Sequence, residues 1–157
     1  MSADHAVLRT LPSGGQEFAA IVHWQHQRGG EAHCLARVYL SASGPPVAII
    51  SEIRSNPEGR GIASDLPAVA EVLLTKAPFA IEPAEVIWIT HFGLFSYYDS
   101  YNPRDTFVSA PMSWDGHRYH DDLRNHRRMT ETEVIAALGG AHPEPVPEVL
   151  ARLGWRF

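Results

Sequence analysis

The chain has 157 residues, 45% of them apolar and 20% charged, with a formal net charge of −5 at neutral pH. This is the balance of a chain that folds around a core. The single cysteine excludes an intramolecular disulfide framework. No apolar run reaches the ~18–20 residues that span a bilayer, and the acidic excess argues against nucleic acid and membrane surfaces as partners. Met1-Ser2-Ala3-Asp4-His5 lacks the basic-then-apolar order of a secretory leader, so a cytoplasmic location is expected.

Residues 1–15 read as a flexible lead-in closed by Pro12-Ser13-Gly14-Gly15. Glu17–Trp24 alternates as a strand, with Phe18, Ala20, Val22 and Trp24 on one face. Gly29-Gly30 supplies the positive φ of a turn. His33–Leu40 alternates again, and after Gly44-Pro45-Pro46 a third strand, Val47–Ile53, carries the continuous apolar run Val47-Ala48-Ile49-Ile50. The period then changes. Leu66, Val69, Ala70, Leu73 and Leu74 make one helical face, with Ser64 or Asp65 as cap.

Glu85–Phe92 is a strongly apolar strand, which makes strand, helix and strand a crossover with the two strands parallel. Asp105–Ala110 is expected to return antiparallel. Thr130 and Glu133 form a capping box, Met129 and Val134 its hydrophobic staple, and Gly139-Gly140 the helix end. A proline-rich link then leads to a short amphipathic turn, Glu148–Leu153, and to Trp155.

The order is therefore β-β-β-α-β-β-α-α. It predicts an α+β fold with a mixed sheet of four to five strands, an antiparallel meander followed by a βαβ crossover. Helices are expected mainly on one face, in a single domain over 16–157. The same opening order is found in the ribonuclease H-like fold. The nucleases of that fold hold Mg²⁺ between carboxylates on the first and fourth strands. Here those strands offer only Glu17 and Glu85 at their edges, so that chemistry is not expected.

Ser51-Glu52-Ile53, then Asn56-Pro57, an amphipathic helix and Trp88-Ile89-Thr90-His91-Phe92 resemble a pattern that recurs in small bacterial proteins with no assigned activity. In that pattern an Asn-Pro-Gly turn precedes the helix and a Trp-Ile-Glu-His-Tyr-like strand follows it. This chain departs from it by Glu58 before Gly59, and by Thr90 and Phe92. The resemblance covers about residues 47–110 and implies the fold unit alone.

Ligands of open sheets sit beyond the carboxyl ends of parallel strands. Glu52 and His91 end two such strands and are the candidate catalytic pair. Arg54, Asn56, Gly59, Arg60 and Gly61 between them suit an anion near a helix start. Nine of the fifteen aromatic residues fall within 88–119. Phe95, Tyr97, Tyr98 and Tyr101, with Arg104, make a contact surface of large area and low ordering cost. Residues 116–128 carry four arginines against two aspartates. His117, His120, Asp121 and His126 there include metal-binding types, at a spacing that matches no metal motif.

Cys34 falls on an apolar strand face, where an inert thiol is expected. No nucleophile elbow, zinc or redox signature is present. These features predict a non-enzymatic binding protein. It would use the aromatic loop 93–104 and the basic stretch 116–128 to contact a protein partner or a second copy. The alternative is a small hydrolase or transferase acting on an anionic, phosphate-bearing molecule held by Glu52, Arg54, Arg60 and His91, with Tyr97 or Tyr98 closing the pocket. Neither a cofactor nor a metal is expected.

Overall fold

Four strands, not three, precede the first helix. β1 (Ser2–Thr10), β2 (Gln16–Gln25), β3 (Glu31–Leu40) and β4 (Val47–Asn56) pair antiparallel in sequence order. Helix α1 (Leu66–Lys76) carries the chain to β5 (Ile87–Phe92), which lies parallel to β4 from Val47↔Ile87 to Ser51↔His91. β6 (Thr106–Ser109) returns antiparallel to β5, as expected. β7 (Met112–Trp114) and β8 (Tyr119–Asp121) form a separate ribbon. β9 (Arg127–Met129) closes a seven-stranded sheet of order β1-β2-β3-β4-β5-β6-β9. Helices α2 (Glu131–Ala137) and α3 (Val146–Leu153) follow. This computed structural model describes residues 1–25, 29–56, 65–92 and 106–155.

Three expectations are corrected. The sheet has seven strands rather than four or five, because both edge strands lack apolar alternation. β1 buries only Ala3 fully, and β9 is Arg127-Arg128-Met129. An edge strand has one neighbour and little hydrophobic pattern to show. Residues 1–15, expected as a flexible lead-in, instead carry β1, and Gly15 closes its turn where a Cβ would lie 2.6 Å from the Leu40 carbonyl oxygen.

The third correction concerns the helices, which cover both faces. α1 packs on Phe18, Val22, Cys34, Val38 and Ile50. α2 packs on Tyr39, Ile49 and Ile89, and α3 on Ala19, Ile21 and Leu35, all at alternate positions facing the other way. A strand such as Val47-Ala48-Ile49-Ile50, apolar at every position, requires cover on both sides.

Local chemistry sets the helix ends. The Thr130 Oγ accepts from the Glu133 N–H at 3.1 Å, and the Glu133 carboxylate accepts from the Thr130 N–H at 3.2 Å, completing the capping box. Asp65 stands at the start of α1, but its carboxylate makes no cap bond. It accepts instead from the Trp24 indole N–H at 3.1 Å, tying the helix start to β2. At the end of α3, Gly154 takes φ 70°, and the Trp155 N–H donates back to the Leu150 carbonyl at 3.0 Å. Only glycine adopts this left-handed turn cheaply. It folds Trp155 back beside the sheet.

Buried charge anchors α3. Glu17 is fully buried on the α3 side and accepts from Arg9 at 2.9 Å and from Arg152 of α3 at 2.6 Å. Glu144 pairs with Arg9 at 2.9 Å and with Arg152. The buried Arg37 donates to the Glu144 carbonyl at 2.7 Å and to the Tyr39 hydroxyl at 3.3 Å. Burial by itself would raise the Glu17 carboxyl. The Arg9 hydrogen bond and the Arg9 and Arg37 charges outweigh it and hold the group below its ordinary value.

Candidate functional site

Among the described residues, two non-glycine positions have positive φ, His5 at 53° and Glu52 at 51°. Each sits in a β-bulge. In β4 the register runs from Leu35↔Ser51 to His33↔Arg54, so Glu52 and Ile53 together oppose Cys34. The extra residue turns Arg54 onto the α3 side, where regular alternation would put it on the α1 side. In β1, His5 and Ala6 likewise oppose one residue, Ala20. Both strained residues face the end of α3. The His5 Nδ1 donates to the Leu153 carbonyl at 3.2 Å, and its ring stands edge-on to Trp155 at 5.0 Å. A left-handed side-chain-bearing residue costs roughly 1–2 kcal/mol, and such strain concentrates at functional sites.

The bulges build one row of polar residues across this end of the sheet. Ser2 pairs with His23, His23 with His33, and His33 with Arg54 in successive ladders. Arg54 donates to the Glu52 carboxylate at 2.9 Å, both side chains being partly exposed. Beside them α3 presents Val146, Pro147, Leu150 and Ala151, and Trp155 closes the end. The space between is an open groove of about 920 Å³. A second hollow of about 370 Å³ lies across Trp155, lined by His23, Glu31 and His33. The His33 ring is edge-on to Trp155 at 6.0 Å. Burial, then the Arg54 and His23 charges, lower the affinity of His33 for a proton and favour its neutral ring.

The sequence-predicted site residues divide between places. Glu52 and Arg54 lie in the groove. His91, next to last in β5, lies on the same sheet side but stacks flat on Phe107, with centroids 4.3 Å apart and planes 12° apart. The Glu52 carboxylate bonds Arg54, not His91. Asn56 ends β4. Gly59, Arg60, Gly61, Phe95, Tyr97, Tyr98, Tyr101 and Arg104 lie outside the described residues. Sequence reasoning missed α3, Trp155 and His5 as site residues. The one available signal was Gly154-Trp155, a helix stop followed by a large aromatic; the bulges leave no sequence mark.

Other constellations are tied up internally. Ser2 Oγ lies 3.1 Å from His23 Nε2, and Asp4 bonds the same nitrogen. The same hydroxyl also lies 3.4 Å from Nδ1, whereas the Asp4 carboxylate is held at Nε2. That contact, foremost, lowers the Asp4 carboxyl. In 116–128, Asp115 pairs with His120 at 2.7 Å, Asp121 with His126 at 2.9 Å and Arg127 with Glu133 at 2.7 Å. The His120 bond, with two backbone N–H donors, holds Asp115 far below its ordinary value. Among the described residues, no group of three or more ligand types could hold a metal.

Trp88, Trp114 and Tyr119 pack edge-on at 4.9–5.4 Å in the α1-side core, and the Tyr119 hydroxyl donates to the Pro83 carbonyl at 2.6 Å. Cys34 is buried, and burial pushes its thiol far up. Among the described residues, no helix is long and apolar enough to cross a membrane. Comparison with family models, curated proteins and solved structures finds no match to this chain.

Proposed function

We propose that the protein is a binding protein, and that it takes an amphipathic ligand into the groove between α3 and the end of β4 without performing chemistry on it. The observation that carries this reading is the division of the groove. One wall is the Glu52–Arg54 ion pair, held by a strained bulge; the other is the apolar side of α3 ending in Trp155. Sites of this size that pair apolar cover with a few fixed polar groups are the usual form of small-ligand pockets. Against the hydrolase or transferase alternative stands the use of its chemistry. Glu52 is engaged by Arg54, and the Arg54 charge that would draw an anion already faces a carboxylate at 2.9 Å.

Protein-detected NMR with a set of small amphipathic compounds tests the reading. Hits should shift the amides of Glu52, Arg54, Leu150 and Trp155, and should be lost in Leu150→Arg and in Trp155→Ala. Hits that map elsewhere, or that survive both substitutions, overturn it.

A further inference from the structure

The charges of the groove narrow its occupant. Glu52 and Arg54 sit two residues apart on one strand, the same-face spacing, and the bulge places both against the α3-side groove where unbroken alternation would turn them to the α1 side. Their side chains remain 19% and 34% exposed, so the pair is open to the groove while each partner is engaged by the other. A lone anion must compete with Glu52 for Arg54 and then lie beside a carboxylate. A lone cation meets the mirror problem at Arg54. Each loses in repulsion much of what it gains in attraction.

A ligand bearing both charges avoids the conflict. Its carboxylate faces Arg54 and its ammonium faces Glu52, giving four alternating charges with no pair broken. The guanidinium has five N–H donors in a planar fork and a carboxylate has about four acceptor sites, so both groups can serve the pair and the ligand together. In an α-amino acid the ammonium nitrogen and the carboxylate oxygens are about 3 Å apart, close to the 2.9 Å between Arg54 and Glu52. Opposite that wall, among the described residues, the groove is lined by Val146, Pro147, Leu150, Ala151, Gly154 and Trp155, whose side chains offer hydrocarbon and indole. The occupant therefore needs an apolar side group attached next to its two charges.

Resting on the reading of the groove as a ligand site, we infer that it binds a small zwitterion with an apolar side group, of the class of free aromatic or branched-chain α-amino acids. The bulge, with Glu52 at φ 51°, presets the polar wall before the ligand arrives, so little ordering is left to do on binding.

Three molecules of one shape test this: L-phenylalanine, 3-phenylpropanoate and 2-phenylethylamine, titrated at pH 7 and followed by amide shifts in the full-length protein. The zwitterion should bind at least about tenfold tighter than either analogue. Glu52→Gln should move the preference to 3-phenylpropanoate, and Arg54→Gln should move it to 2-phenylethylamine, each with the thermal midpoint measured alongside. Equal binding of all three, or an unchanged order in the two variants, overturns the zwitterion. If none of the three binds while other amphipathic probes still map to the groove, the zwitterion fails and the groove stands. If no probe of any kind maps there, both fail.

Discussion

Under α1 the sheet buries Phe18, Val22, Cys34, Val38 and Ile50 against Val69 and Leu73, with Asp65 at the rim held by Trp24. Under α2 and α3 it buries Glu17 and Arg37 among shorter apolar patches, and it carries both non-glycine left-handed residues. One face is held by packing that tolerates no gap. The other is held by charges that must find partners, and it leaves an open groove where apolar cover stops. A surface that has to admit a ligand cannot be closed like a core, and polar contacts of fixed direction keep such a surface in shape without filling it.

The comparison breaks most visibly at Glu17. Glu17→Ala removes the buried member of this network and leaves Arg9 and Arg152 to share Glu144, so the cost should fall at the low end for a broken buried pair, about 3 kcal/mol; urea unfolding measures it. The folded carboxyl titrates below its ordinary 4.5. Its contribution is therefore complete above that value and is lost as pH falls through the lower, folded one. The stability gap between wild type and Glu17→Ala should accordingly shrink in acid. A loss under 1 kcal/mol at neutral pH would mean that packing holds both faces alike.

Leu73→Ala, fully buried on the α1 side, should cost about 3 kcal/mol through the cavity it leaves. It should leave the amide shifts of Glu52 and Arg54 unchanged; movement there would show the two faces to be coupled. The smallest effect sharpens the contrast. Glu52→Gly and Glu52→Ala both remove the ion pair, but only glycine relaxes at φ 51°. The glycine variant should be more stable than the alanine variant by about 1 kcal/mol. Equal thermal midpoints would show that the bulge stores no strain.

Much of the framework was written in local pattern. The alternation of Phe18 to Trp24, the helical face of Leu66 to Leu73 and the Thr130–Glu133 box each state their own element, and the parallel crossover followed from their order. Edge strands were illegible for the opposite reason, since a strand with one neighbour needs few apolar residues. The continuous Val47-Ala48-Ile49-Ile50 run did hold the information that both faces are covered, because no other arrangement buries every side chain of a strand.

Of the candidate site, Glu52 and Arg54 were legible from their place at the end of β4 beside a crossover. Their company was not. Whether Arg54 faces α3 or α1 depends on one extra residue opposite Cys34, and a single-residue slip reverses every later side chain without altering the sequence pattern. Trp155 reaches the groove because Arg152, three residues earlier, meets Glu17 at a sequence distance of 135 residues. Sequence by itself determined which segments are strands and helices, since period and capping are properties of neighbours. Only the tertiary structure decided which charges meet, since bulges, register and long-range ion pairs are set by contacts between residues far apart in the chain.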